Sequence, residues 1–210
     1  AVDNSGNISA VSTGSGVYEG YYGTYVIPTD VIGVYAYAPG AVASVTNSGS
    51  ITATTGAGLA DGVFASGAVA DVANSGSITA DGYTWGAGIE AQGDDAAYVS
   101  NTGDISASAT AYAPADPEAG TPAVYGHAYG IYVAGSGDDG TVVNNRGSIE
   151  ASGPYATGIY AYDGGSGGTL MDAVIAIEEV AKYCPRSADV VQEGNFGAIR
   201  VLAHFATEDQ

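Results

Sequence analysis

Apolar and polar residues alternate along most of this chain, and one nine-residue phrase organises the alternation. It reads VDNSGNISA at 2–10, VTNSGSITA at 45–53, VANSGSITA at 72–80, VSNTGDISA at 99–107 and VNNRGSIEA at 143–151. In each copy Val, Asn, Gly, Ile and Ala hold every second position, the spacing of one face of an extended chain. Val and Ile suit a pleated, buried surface. Asn and Gly tolerate left-handed backbone angles, so each copy reads as strand, tight bend, strand.

A second motif lies between the copies: GVYAYA from Gly33, GVFASG from Gly62, GIEAQG from Gly88, GIYVAG from Gly130 and GIYAYD from Gly158. Asn47, Asn74 and Asn101 are spaced by 27 residues, whereas Asn4 to Asn47 is 43 and Asn101 to Asn145 is 44. The two wider intervals carry insertions, near 18–30 and 108–124. Repeats of fixed period that cannot bury their apolar face alone must stack. Stacking would put Asn4, Asn47, Asn74, Asn101 and Asn145 in one file and Ile8, Ile51, Ile78, Ile105 and Ile149 in another. An amide file can hydrogen-bond along its own length. The expected fold is mainly β, a single-stranded parallel β-solenoid (β-helix) of about five to six coils, each with roughly three short strands.

The repeat domain so defined covers 1–169, and the tail differs in kind. Leu170, Val174, Ile177, Ala181 and Cys184 recur at helical spacing, and Pro185 ends the run. Residues 170–210 are therefore expected to form a small helical C-terminal cap, which would cover exposed strand edges, or a foreign, armadillo-like tail spliced on near residue 170.

Composition narrows the functions. The formal net charge is −19, and the basic residues are Arg146, Lys182, Arg186 and Arg200. Such a charge repels phosphate backbones and anionic lipid, so neither nucleic acid nor membrane insertion is expected. The lone Cys184 excludes an internal disulfide. Three features carry candidate chemistry. Tyr18, Tyr21, Tyr22 and Tyr25 crowd the first insertion as a candidate aromatic binding platform. Asp138 and Asp139, in AGSGDDGTVV at 134–143, approach a calcium-binding nonapeptide, with Ala134 and Thr141 off pattern. They mark Ca²⁺ as the candidate ion, with no organic cofactor. Asp94 and Asp95 are a surface acid pair, and Trp85 and His127 read as rim residues.

NSGSITA followed by Gly-Ile-x-Ala resembles the β-helical passenger domains of bacterial autotransporters and related surface adhesins. The resemblance implies export to the bacterial cell surface and an extracellular location. It also implies a non-catalytic structural or adhesive stalk, whose partners would be a host or cell-surface protein, a glycan, or further copies of itself. Two alternatives stand beside it: a carbohydrate-active β-helix enzyme using surface aspartates, and an ice-binding or cation-binding solenoid.

Overall fold

The computed structural model describes residues 1–13, 16–20, 23–27, 29–113, 123–137 and 140–163; for 16–20, 23–27 and 113 it gives the backbone alone. The helix expected over 170–210 lies outside the described residues, as do Tyr21, Tyr22, Asp138 and Asp139. In chain order the strands begin with β1 (Val2–Asn4), β2 (Asn7–Ser12), β3 (Gly16–Gly20), β4 (Gly23–Ile27) and β5 (Val31–Asn47). Next come β6 (Ser50–Thr55), β7 (Leu59–Asn74), β8 (Ser77–Gly82), β9 (Trp85–Asn101) and β10 (Asp104–Ala109). The rest are β11 (Tyr112–Ala113), β12 (Val124–Tyr125), β13 (His127–Gly135), β14 (Gly140–Asn145), β15 (Ser148–Ser152) and β16 (Tyr155–Asp163).

The protein is mainly β, with two parallel sheets. One runs β1-β5-β7-β9-β13-β16, with β14 also paired to β9; the other runs β15-β10-β8-β6-β2. Each repeat of the phrase thus adds a strand to both sheets, beside its predecessor. In three repeats the Gly motif and the first half of the following phrase are not separate strands, as the sequence suggested, whereas β13 and β14 do stay separate. In β5 and β7 they form one strand of 17 and 16 residues, bent by register shifts after Ala38 and Gly67. The two insertions contribute short antiparallel pairs, β3–β4 and β11–β12. All these strands belong to one compact unit, Ala1–Ser166.

Register places like on like. Ile8, Ile51, Ile78, Ile105 and Ile149 are successive partners, and so are Val2, Val45, Val72, Val99 and Val143. Ile51, Ile78 and Ile105 are buried in the same cluster as Val63, Ile89 and Ile131. Residues in such a core gain roughly 25 cal/mol for each Å² of apolar surface removed from water.

The bend inside the phrase is made differently from the sequence expectation. None of its Asn or Gly residues takes a positive φ; among the described residues only Gly40, Gly140 and Gly153 do. The Asn side chain makes the corner instead. Asn47 Oδ1 accepts from the Gly49 N–H at 3.2 Å, and its Nδ2 donates to the Gly49 carbonyl at 3.3 Å. Gly is required there by closeness rather than by backbone freedom, because a Cβ on Gly76 would fall on the Gly49 carbonyl of the preceding repeat.

The same amides link the repeats. Asn4 donates to Asn47, Asn47 to Asn74, Asn74 to Asn101 and Asn101 to Asn145, each at 2.7 Å. Asn47 and Asn101 therefore use both amide hydrogens and accept twice at Oδ1, which satisfies their polar capacity in a fully buried position.

Candidate carboxyl and aromatic site

The outer face of the larger sheet carries rings where the inner face carries Val and Ile. Residue three of the Gly motif is Tyr35, Phe64, Glu90, Tyr132 and Tyr160 in register order. Tyr35 stacks on Phe64 at 5.2 Å between centroids, and Tyr132 stacks on Tyr160 at the same separation. Glu90 interrupts this aromatic file, and it is buried.

A second acid lies beside it. Asp61 on β7 pairs with Ala87 on β9, and only 3% of its surface is exposed. Ala87 offers only a methyl group, which leaves room for the indole of Trp85, one pleat earlier on the same strand. Trp85 Nε1 donates to Asp61 Oδ1 at 3.1 Å. Gln92, one pleat beyond Glu90, donates to Glu90 Oε1. Trp85 packs against Tyr129 and Tyr132, with centroids 4.7 and 5.5 Å apart. Tyr129 in turn meets Tyr132 and Tyr160 edge-on.

Burial dominates the electrostatics. It pushes the Asp61 carboxyl up to about 8, helped by the nearby charges of Glu90 and Asp30 and opposed by the Trp85 N–H. Burial also raises Glu90 above the ordinary carboxylate range, against hydrogen bonds from Gln92 and Trp85. Tyr129 and Tyr132 are raised as well, first by desolvation. Among the described residues the only basic side chain is Arg146, exposed at the corner before Gly147 and away from this face. Two acids that share one N–H donor, with no cation to balance them, avoid the cost of two buried charges by keeping a proton. Gln92, the hydrogen-bond partner of Glu90, also lines a shallow depression of about 180 Å³ together with Ser66, Asp94, Ser136 and Tyr162, whereas Asp61, Glu90 and the Trp85 indole do not line it.

Of the residues singled out from sequence, Trp85 belongs to this cluster and Asp94 lines the depression. Tyr18 and Tyr25 face each other in the backbone register of β3 and β4. Asp94 and Asp95 are exposed on β9, and the Asp94 carbonyl accepts from Ser136. Among the described residues no group of three or more His, Cys, Asp or Glu could hold a metal ion. His127 stacks on Tyr155 at 5.0 Å. Trp85, read as a rim residue, instead bridges the carboxyl pair and the rings. The signal for Glu90 was present in the sequence: it is the one non-aromatic residue in a column of rings. Asp61 carries no such mark, because only the strand register brings it beside Trp85.

No family model matches this chain, and no solved structure matches it. Among curated proteins, the 3-sulfinopropanoyl-CoA desulfinases of Variovorax paradoxus and Cupriavidus necator are similar to part of it. Each is 43% identical over 47 residues, which is 22% of this chain and 12% of the enzyme. This corrects the expectation of a non-catalytic adhesive stalk, because the similarity the chain carries is to an enzyme. Nor do these comparisons point to the sugar-processing, ice-binding or ion-binding readings set beside it.

Proposed function

We propose that the described residues form a single-stranded parallel β-solenoid of the autotransporter-passenger type, carrying a small-molecule site at Asp61 and Glu90 that holds and hands over a proton. The fold reading is supported by the two sheets growing in the same order, with Asn on Asn and Ile on Ile at every step. One observation carries the site: where four other repeats set an aromatic ring, the third sets a buried glutamate against a second buried acid under one indole N–H. Acids with raised proton affinity are the usual material of acid–base and binding centres.

The 47-residue similarity is assigned to the region 152–210. It is the one stretch of that length without a copy of the phrase, and the only one with helical apolar spacing. On that reading the segment has a different origin from the repeats, and it matches 12% of the enzyme's length.

Trp85 is the only tryptophan of the chain and touches the pair directly. Its fluorescence, titrated from pH 5 to 9.5, is expected to change with a midpoint about pH 8 and to lose that transition in Asp61→Asn. A wild-type signal that is flat across this range would contradict the reading.

A further inference from the structure

We infer that a second copy of this chain docks end to end on the first, its β1 and β2 continuing the two sheets beyond β14 and β15. The inference concerns the end repeats and does not depend on the carboxyl pair.

Three observations carry it, and the first is register. Among the described residues β14 pairs only with β9 and β15 only with β10, while β1 pairs only with β5 and β2 only with β6. The strands of the phrase are parallel and set like on like, so the outer edge of β14 repeats the edge that β9 offers to β14. The outer edge of β1 likewise repeats the edge that β14 presents to β9, and β2 stands in the same relation to β15. Unpaired edges of this kind template the addition of a further strand. Val2, Ile8, Val143 and Ile149 end the two apolar files and are only partly buried, whereas Ile51 and Val72 within the files are covered.

The second observation is the direction of the amide file. Asn4, Asn47, Asn74 and Asn101 each donate one amide hydrogen to their own corner and the other to the next repeat. Among the described residues Asn145 donates to the Gly147 carbonyl alone, and Asn4 Oδ1 accepts from the Gly6 N–H alone. The file therefore ends on a spare donor at the last repeat and a spare acceptor position at the first. Only a head-to-tail join matches the two.

The third is charge. Arg146, the only basic side chain among the described residues, stands exposed on the last repeat, and Asp3 stands exposed on the first. Asp3, Thr46, Ala73, Ser100 and Asn144 are successive partners. One repeat further on, the second copy's Asp3 falls against Asn144, two residues from Arg146 and within reach of its long side chain. Glu150 on β15 falls against the second copy's Ser9 in the same continuation, so no acid opposes it. A head-to-tail join leaves a matching end free on each copy, and growth is open-ended.

Sedimentation velocity of the full chain over a roughly hundredfold range of concentration tests this. The salt is set at about 0.15 M, where a Debye length of about 8 Å limits repulsion between chains of net charge −19. The mean mass is expected to rise throughout the range and to pass the dimer without a plateau. Asp3→Arg and Arg146→Asp should each weaken association by about tenfold, because each sets like charges at the join. An equimolar mixture of the two variants should recover wild-type association within a few-fold, since every join between unlike copies again sets opposite charges together. A chain that stays monomeric at every concentration would overturn the inference, as would a plateau at the dimer. Single variants that associate like the wild type, or a mixture that associates no better than its parts, would overturn it as well.

Discussion

Single side chains hold this protein in register, and the Asn file is the clearest case. Each inner Asn joins its own corner to the repeats on either side, so its loss takes a partner from polar atoms on two neighbours. Asn74→Ala leaves an amide hydrogen of Asn47 without its acceptor and Oδ1 of Asn101 with the Gly103 N–H alone. A buried polar group left unsatisfied costs roughly 1–3 kcal/mol, so chemical denaturation should show a loss of about 2–5 kcal/mol. Asn4→Ala, at the half-exposed end of the file, should cost about 1 kcal/mol or less. The Gly column is equally strict for a steric reason. A Cβ on Gly88 would lie 2.6 Å from the Gly130 carbonyl oxygen and still closer to Cγ2 of Ile105. Backbone cannot yield as a flexible side-chain end can, so Gly88→Ala is expected to cost more than about 2 kcal/mol. A thermal shift of less than a degree would show that the two sheets are not so closely apposed.

At the scale of strands, β9 is the unusual one. Its neighbours β7, β13 and the more distant β16 continue an aromatic file, and β9 interrupts it with Glu90. Restoring the file should therefore favour stability at the expense of the site. Glu90→Tyr is expected to raise stability by about 1–2 kcal/mol at pH 8, by removing a buried carboxyl and adding ring contacts with Phe64 and Tyr132. The same variant should lose the pH response of Trp85. How far β9 could be read from sequence follows from this. The phrase spacing gave the strand positions and partners, because a parallel register with a buried face tolerates no one-residue slip. The spacing could not give the joining of two short strands into one, which depends on bulges after Ala38 and Gly67. Nor could it give the absence of left-handed corners, since a side-chain clasp and a positive-φ turn draw on the same Asn and Gly residues. Glu90 was legible as the odd member of its column. Asp61 was not, because its proximity to Trp85 comes from register between strands more than twenty residues apart.

For the described body as a whole, two consequences follow. Protection should be graded. Val45, Val72, Ile51, Ile78 and Ile89 are almost fully buried, whereas Val2, Ile8, Val143 and Ile149 toward the two ends are partly exposed and Ile159 is exposed. Amide hydrogen exchange should accordingly be slowest through 45–107 and faster toward 2–12 and 140–163. Stability should also depend on pH in an unusual sense. The folded Asp61 carboxyl is raised from 3.8 to about 8, so between those values the folded state holds a proton the unfolded chain has released. Stability from this group is complete below pH 4, falls as pH rises to about 8, and is then flat. The drop attributable to Asp61 is up to about 6 kcal/mol, and it should be absent in Asp61→Asn, which should be the more stable protein at pH 8.

At neutral pH the buried Asp61 carboxyl keeps its proton, and burial raises the proton affinity of Glu90 nearby. Carbon-13 NMR of side-chain carboxyls, with Asp61 and Glu90 assigned by Asp61→Asn and Glu90→Gln, reads this directly. The expected result is an Asp61 resonance that moves with a midpoint about pH 8 and a Glu90 resonance that titrates above ordinary glutamates. Both resonances already in their ionised positions at pH 5.5 would contradict it.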